Sequence, residues 1–505
     1  MAASDSPAAT PSDTPAAKHS NDAPARLSLS QKLFSPVDIG LLVVYRIAFG
    51  GCMLFEVYRY FAHGWIERKF INPQFYFTYY GFSWVQPFSG DGMYIVFAVL
   101  GVCAACIMIG FLYRLASIVF FLGFTYIFLL DQANYLNHFY LLSILSLIGI
   151  FLPLNRAWSI DAWLRPQIRS QTVPAWTLWL LRFQIGVAYF FGGVAKINPD
   201  WLAGVPMQIM MLRSRAYPVF SEFFEQDWAV YAYAYGGLLF DLLIVPLLLW
   251  SRTRIPAYLA TVLFHASNAR MFTIGIFPLI MVAASMIYFP PDWLRPDTAD
   301  PLPKPDPTRK ITSGQRWILA ALAVFVAFQV LMPFRHWLYP GDVSWTEEGH
   351  RFSWHMKLRC KRSTAVFRAY DPDGTEIIGV PQPVDILVYR QQRKMPDRPD
   401  MVLQFAHYLA DRLESEGHPN ARVTADVQAS LNGRDFQALI DPDADLAARP
   451  RNLWPADWIV PLHQPLPSLA EVRRQHAAHV AAWNRPQTTD GESDDTAGDT
   501  DNDEL

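Results

Sequence analysis

The chain has 505 residues and a formal net charge of −3, with 52% hydrophobic but only 17% charged residues. Soluble domains usually carry roughly 25% charged residues, so this composition excludes an ordinary soluble protein. The near-neutral balance indicates no particular partner, and no basic face of the kind that binds nucleic acid is visible.

Residues 1–37 precede the first apolar run, and the first 26 of them are rich in Ala, Ser, Pro and Asp. They lack the basic start and the apolar stretch of a signal peptide. We therefore expect a disordered N-terminal arm over 1–37.

Apolar runs dominate the next three hundred residues. A helix needs about 20 apolar residues to cross a bilayer, and nine runs approach this length. We predict a polytopic α-helical transmembrane domain over 38–338, with about nine helices. The seventh is the weakest because His265, Asn268 and Arg270 lie at its end. The predicted spans are 38–58, 93–112, 114–130, 138–154, 175–195, 230–250, 254–270, 274–290 and 316–338.

Basic residues concentrate in alternate predicted loops, at Arg114 and within 156–169, 252–254 and 295–310. The positive-inside rule places these loops in the cytoplasm. The extracytoplasmic side then holds DQANYLNH, the segment beginning AKINPDW, the HASNAR turn and everything after the ninth span. Merging spans seven and eight would move the C-terminal domain to the other side and break this alternation, so we favour nine spans.

The pattern changes to that of a soluble domain over 339–470. Short β-prone runs such as TAVFRAY, IIGV, VDILVYR and ARVTADVQASL are separated by PDG, PQP and NGRD turns. Residues 396–416 have helical spacing and end before Gly417. We predict a β-rich extracytoplasmic domain with one covering helix, followed over 471–505 by a helical extension and an acidic disordered tail.

Lys196 carries the strongest chemical signal, because it ends a long apolar helix and precedes INPDW. Little water surrounds an amine at such a position, which favours its neutral form, and a neutral lysine can act as a general base. The alternative is a snorkelling lysine that anchors the helix end at the membrane interface. Position alone favours the anchor, and both interpretations stay open at this stage.

Four polar residues accompany Lys196 on the predicted extracytoplasmic face. Asn137 and His138 begin the fourth span, and His265 and Asn268 end the seventh. Such groups can hydrogen-bond a substrate oxygen or stabilise a developing anion. The alternative is a helix cap with interfacial histidines. No HExxH pair or carboxylate cluster accompanies them, so we expect no metal site.

Arg182 and Asp241 lie inside predicted spans five and six. Charges inside a membrane are usually paired or functional, and we expect these two to pair with each other. The four cysteines show no metal-site spacing and no disulfide framework. Cys103 and Cys106 lie in an apolar helix, where packing is favoured over a redox role.

Five distinct motifs follow one another along the membrane and the soluble parts of the chain. They are YLNHFYLLSILSLIGIFLPLNRAWSIDAW, LRFQIGVAYFFGGVAKINPDWLAG, FHASNARMFTIGIF, MPFRHWLYPGD and WTEEGHRFSWHMKLR. Together, from about residue 38 to about 465, the chain resembles the vitamin K-dependent gamma-glutamyl carboxylase family and its bacterial relatives with the horizontally transferred transmembrane domain. Because the resemblance covers both parts, it implies the carboxylase itself rather than a protein that shares only the membrane domain.

The resemblance implies an enzyme that couples oxidation of vitamin K hydroquinone by O2, to the epoxide, with carboxylation of protein glutamate by CO2. Lys196 matches the family's base, and Asn137 and His138 match a pair that binds the quinone oxygen or helps the carbanion form. The implied partners are the lipid bilayer, a prenylated quinone and a secreted glutamate-containing protein. The residues expected to bind substrate are His265, Asn268, His336, Trp345, Phe352 and Trp354.

Two features depart from the family pattern. Phe352 replaces the usual tyrosine, which removes a hydroxyl from the presumed glutamate site, and no cysteine pair matches the luminal disulfide of animal members. The vitamin K half of the reaction is thus better supported than the carboxylation half. A quinol epoxidase or oxidase without glutamate carboxylation therefore stays open.

A non-catalytic transporter or receptor that reuses the fold is the alternative from another functional class. A transporter should show broken helices that meet at mid-membrane, whereas the polar residues here gather near one face. The Ala-, Arg- and Asp-rich soluble segments indicate a bacterial inner-membrane protein whose active site faces the extracytoplasmic side.

Overall fold

A computed structural model describes residues 27–213, 226–272, 274–295, 301–303 and 310–483. Within these ranges the chain forms a bundle of apolar helices, followed by a smaller domain built on an antiparallel sheet. Each part has its own buried hydrophobic core.

One helix in the described ranges corresponds to each of the nine predicted spans. Most boundaries differ from the prediction by only a few residues, because the apolar run determines where each helix can lie. We number them α1 Gly40–Ala62, α2 Gly92–Ile109, α3 Tyr113–Leu130, α4 Asn137–Phe151, α5 Ala175–Ala195, α6 Asp227–Leu249, α7 Arg254–Met271, α8 Phe277–Ser285 and α9 Ser313–Leu331.

Six of these helices are long and apolar enough to cross a membrane, namely α1, α2, α3, α5, α6 and α9 with the turn that follows it. The chain is therefore a membrane protein. The 15 residues of α4 span roughly 22 Å at 1.5 Å per residue, less than the bilayer core of about 30 Å. The apolar helix that begins at Phe277 is also short, and α7 is long enough but not sufficiently apolar. Nine spans therefore stay a prediction.

Ordered structure begins before the predicted boundary at residue 38. The helix Leu29–Phe34 has a capping box formed by Ser28 and Gln31, and strand Pro36–Asp38 pairs with Thr172–Pro174. The expectation of disorder over 1–37 is thus wrong for the last part of the arm, where the chain pairs with the segment before α5. Residues 1–26 lie outside the described residues.

The predicted pair between Arg182 and Asp241 is also wrong. The Arg182 guanidinium donates to the carbonyl oxygens of Ile287 and Phe289, at 2.8 and 2.7 Å. These carbonyls lie at the end of the helical segment that begins at Phe277, where backbone acceptors have no partner within the helix. The buried cation is thus bound by a helix end, and Asp241 pairs elsewhere.

The C-terminal domain contains a four-stranded antiparallel sheet with two long and two short strands. The strands are β1 Lys361–Tyr370, β2 Glu376–Ile377, β3 Arg422–Leu431 and β4 Gln437–Ala438, in the order β2-β1-β3-β4. The helix α10, Pro399–Ser415, packs on β3, as expected for the covering helix. Apolar side chains of both elements form the buried core of the domain.

The domain is less rich in β structure than predicted. The segment VDILVYR forms parts of two short helices, Pro383–Ile386 and Tyr389–Lys394, instead of a strand. Pro383 occupies the first helical position, where its fixed φ favours a helix start. The predicted extension forms α11, Leu469–Trp483, and 484–505 lie outside the described residues.

The C-terminal domain packs against one end of the helix bundle. The amide of Thr78, in the α1–α2 connection, donates to Gln404 Oε1 on α10 at 2.9 Å. The Gln391 side chain donates to Asp131, which follows α3, also at 2.9 Å. The segments that precede α2 and α4 therefore lie on the face that contacts this domain.

We predict that Gly50 cannot accept a side chain. A Cβ at Gly50 would lie 2.6 Å from the Met108 backbone nitrogen, because small residues let α1 and α2 approach closely. Gly50→Ala should lower the apparent stability by about 1–3 kcal/mol through overpacking. The matched control is Gly51→Ala, whose Cβ would meet only the Met108 sulfur at 3.7 Å. Melting curves in detergent check this, and equal midpoints for both variants would contradict it.

Candidate active site

Lys196 follows the last residue of α5 and is buried, with 7% of its surface exposed. Its Nζ donates to Asp241 Oδ2 on α6 at 2.6 Å and to the Gly192 carbonyl at 3.1 Å. The Trp201 ring lies 5.4 Å from the same nitrogen. A snorkelling lysine would extend into water, whereas this amine is held inside the protein by a carboxylate.

Two glycines on α5 make room for the groups around Lys196. A Cβ at Gly193 would lie 2.8 Å from the Leu242 side chain, so α5 and α6 are in close contact there. A Cβ at Gly192 would lie 2.9 Å from Met356 Cε and 3.4 Å from Asp241 Oδ2. The missing side chains therefore let α6 and Met356, which precedes the sheet, pack against the last turn of α5, next to Lys196.

His265, on α7, is buried and hydrogen-bonded. Its Nε2 lies 2.8 Å from the Tyr189 hydroxyl on α5, and that hydroxyl lies 3.2 Å from Ser285 Oγ. Among the described residues, the His265 Nδ1 has no hydrogen-bond partner. One nitrogen is thus fixed by the protein, and the other is available to a bound molecule.

His138 approaches the same region from α4. Its ring stacks on Phe277 with a centroid separation of 5.6 Å, and the His265 ring meets Phe277 edge-on at 6.0 Å. Three helices, α4, α7 and α8, therefore place two imidazoles around one half-buried phenyl ring. Aromatic rings pack favourably in both geometries.

Asn137 joins the start of α4 to the segment that follows α9. Its Nδ2 donates to the His355 carbonyl at 3.0 Å, and its Oδ1 accepts from the Tyr135 hydroxyl at 3.1 Å. His355 directly precedes Met356, the residue that contacts the Lys196 region. Asn137 and Gly192, one turn before Lys196, are thus contacted by two consecutive residues, His355 and Met356.

Two family models match this chain. The model of the HTTM domain matches residues 34–293, just over half of the chain, and the model of the vitamin K-dependent gamma-carboxylase, lumenal domain, matches 314–465. The chain belongs to the vitamin K-dependent gamma-carboxylase family. The family resemblance carried by the sequence motifs is confirmed, and the two matched domains indicate a vitamin K-dependent carboxylase-like function. A comparison with solved structures found no match.

His355 is a further residue of the candidate site that the sequence did not single out. Its ring lies 4.8 Å from that of His336 and 5.2 Å from that of His350. It is buried, and neither ring nitrogen has a partner within the described part of the chain. Burial lowers the pKa of His355 to about 3, with further lowering from His336 and Arg359. The ring is therefore neutral at physiological pH, with one donor and one acceptor.

Phe352 and Trp354 lie close to Asn137. The amide of Phe352 donates to the Tyr135 hydroxyl at 2.8 Å, and the Trp354 ring lies 5.0 Å from that of Tyr140. Both residues have positive φ, 66° and 60°. Bulky residues rarely adopt this conformation, and such strain is common at functional sites.

The other predicted substrate-binding residues occupy different positions. His336, next to His355, has its Nδ1 2.8 Å from the Pro333 carbonyl. Trp345 belongs to the core of the C-terminal domain, where its Nε1 donates to the Val460 carbonyl at 2.7 Å. Asn268 is half-buried on α7, one turn after His265.

Sequence reasoning also missed two partners of the predicted residues. The sequence indicates that Asp241 is a buried charge but predicts Arg182 as its partner. It does not predict a role for Tyr189. Asp241 lies inside an apolar span. Lys196, at the end of another span, is a second cation with which Asp241 could have been predicted to pair. Tyr189 carries no comparable signal, because aromatic residues are common throughout these helices.

No metal site is evident. Among the described residues, no group of three or more His, Cys, Asp or Glu side chains is arranged to hold a metal ion. All four cysteines are free thiols.

We predict that His355 makes the protein sensitive to acid. The unfolded histidine binds a proton near pH 6.5, whereas the folded one stays neutral down to about pH 3, so stability is lost as pH falls through this window. At pH 5 the loss is about 2 kcal/mol. His355→Gln should reduce the drop in melting temperature between pH 7 and pH 5, whereas exposed His479→Gln should not. An unchanged drop in His355→Gln would contradict the assignment.

Proposed function

We propose that this protein uses reduced vitamin K and O2 to drive the carboxylation of protein glutamate by CO2, at the site around Lys196. The observation that carries the proposal is the buried Lys196–Asp241 pair in a chain of the carboxylase family. A lysine that only anchors a helix end has no need of a buried carboxylate partner.

The reaction requires a dry site. The γ-proton of glutamate is far too weakly acidic for any side-chain base, so a stronger base must be generated and protected from water. When bound, reduced vitamin K supplies that base through its oxygenation. The chain's own residues bind the ring, accept a proton and exclude water.

The region around Phe277 fits an aromatic ring that carries hydroxyl groups. His138 stacks on Phe277, His265 meets it edge-on, and the His265 Nδ1 is buried without a partner among the described residues. We assign these residues to the quinone ring, with Asn137 and His138 directed at its oxygen. A prenyl tail would lie in the bilayer and gain about 0.8 kcal/mol per buried CH2.

Lys196 is the proposed proton acceptor. Asp241 holds its amine in place and stabilises the positive charge that appears on Nζ when the proton arrives. The second amine contact, to the Gly192 carbonyl, helps to fix the orientation of the amine.

The glutamate side of the site is assigned to His336, Phe352 and Trp354, with Asn268 and Trp345 in supporting positions. Phe352 favours the second candidate function, a quinol epoxidase or oxidase without carboxylation. Its ring packs against those of Tyr79, Phe128, Tyr135 and Tyr140 and carries no hydroxyl for a substrate carboxylate.

The proposed setting is a bacterial inner membrane crossed nine times, with the domains divided near residues 38, 339 and 471. The active site and the C-terminal domain face the extracytoplasmic side. Exposed tryptophans support an embedded bundle, because they fall both near the basic loops, at Trp158 and Trp163, and near the opposite face, at Trp84 and Trp337. A transporter or receptor that reuses the fold is the alternative.

One experiment distinguishes these functions. The purified protein is incubated with reduced vitamin K, labelled bicarbonate and a glutamate-rich peptide, and epoxide and fixed label are measured separately. Formation of both products supports the carboxylase, and epoxide alone supports the epoxidase. The absence of both products from folded protein would overturn the proposal and favour a non-catalytic function.

We predict that Lys196 cannot be replaced by another cation. Arginine stays protonated under all useful conditions, so it cannot accept a proton. Lys196→Arg and Lys196→Ala should both lose at least about 100-fold in epoxide formation, the typical contribution of a general base. A small added amine should restore part of the activity of Lys196→Ala only. Lys310→Ala, at an exposed lysine, is the control. Substantial activity in Lys196→Arg would make Lys196 an anchor and His138 the next candidate base.

We predict that Asp241 matters for both stability and activity. Asp241→Asn should destabilise the protein by about 1–3 kcal/mol, because the buried Lys196 amine loses its carboxylate acceptor. Combining Lys196→Met with Asp241→Leu should recover much of this stability, because an apolar pair needs no counter-ion, while epoxide formation stays lost. Melting curves and epoxide yield measure the two effects. Equal stability of Asp241→Asn and the wild type would show that the pair contributes nothing.

A further inference from the structure

A buried ion pair links the C-terminal domain to the turn that follows Lys196. Asp200 lies in the short helix Pro199–Leu202, and its carboxylate accepts from Arg434 Nη1 at 2.6 Å and Nη2 at 2.8 Å. The Asn432 side chain donates to the same carboxylate at 2.7 Å. Arg434 and Asn432 lie between β3 and β4. The C-terminal domain therefore binds Asp200, four residues after the proposed base.

Trp201, which follows Asp200, connects this ion pair to the candidate site. Trp201 donates its Nε1 hydrogen to the Ala234 carbonyl on α6 at 2.9 Å, and its ring lies 5.4 Å from Lys196 Nζ. Its amide donates to Asn198 Oδ1, which caps the short helix. The Trp201 ring is thus held between Lys196 and the helix that carries Asp241.

We propose that Arg434 is a positioning residue for Lys196. Through Asp200 it fixes the turn that places the Trp201 ring, and the ring keeps the lysine amine on Asp241. A bidentate guanidinium–carboxylate pair is suited to this task because it sets both distance and direction. The inference rests on the proposed role of Lys196 as the base, and it makes the base depend on the C-terminal domain.

The domain has other attachments, so loss of Arg434 should act locally. Arg451 donates to Asp400 at 2.8 Å and to the Thr78 carbonyl at 2.6 Å, at a separate docking point. Gln391 binds Asp131 in the same region. These contacts hold the domain on the bundle when the Asp200 contact is removed.

The test uses Arg434→Gln and Arg434→Lys, with Arg451→Gln as the matched control at the other docking point. The first readout needs no quinone: the rate at which an amine-reactive reagent modifies Lys196, followed by mass spectrometry over a range of pH. Arg434→Gln should raise this rate about tenfold, because a buried amine reacts only when its surroundings open. Arg434→Lys should raise it less, and Arg451→Gln should leave it unchanged.

The second readout is the pH profile of epoxide formation, which Arg434→Gln should shift and Arg451→Gln should not. Should Arg434→Gln fail to fold, Asp200→Asn removes the charge with little change of shape and should alter both readouts in the same direction. Wild-type labelling and a wild-type pH profile in a folded Arg434→Gln or Asp200→Asn variant would overturn the inference. If the wild-type protein itself forms no epoxide, only the proposed function is overturned. The labelling rates of Lys196 in the variants still test whether Arg434 positions this lysine.

Discussion

A lysine amine and an aspartate carboxylate enclosed by apolar helices have little water to solvate them, so each depends on the other. The pair formed by Lys196 and Asp241 ties the end of α5 to the middle of α6. It is possible only because Gly192 and Gly193 bring the two helices together and leave space for Met356. Close helix packing, burial of the amine and contact with the C-terminal domain are thus aspects of one arrangement.

The C-terminal domain contributes contacts to the proposed site rather than merely covering it. Its linking segment supplies the His355 carbonyl to Asn137 and the Met356 side chain to the lysine region. Its sheet reaches the turn after Lys196 through Arg434. A protein with only the helix bundle would lack all three contacts.

Much of the fold could be predicted from the sequence because lipid imposes a simple rule on length and polarity. The span 175–195 matches α5, whereas the chemistry assigned to Lys196 from its motif stays a proposal. The partners of charged side chains inside the membrane were harder to predict. Arg182 donates to backbone carbonyls at a helix end, and every residue type has such a carbonyl. His355 was overlooked because its burial is a tertiary property. VDILVYR was assigned to a strand because short apolar runs do not distinguish strand from helix.

Asn137 contacts the main chain of residue 355 and not its side chain. Every amino acid offers the same carbonyl oxygen, so this attachment survives any substitution that keeps the local backbone. Residue 355 is therefore a place where evolution can exchange one functional group for another while the geometry around Asn137 is preserved. In this chain the exchangeable group is an imidazole, whereas a relative with another side chain there would keep the same scaffold but handle protons differently.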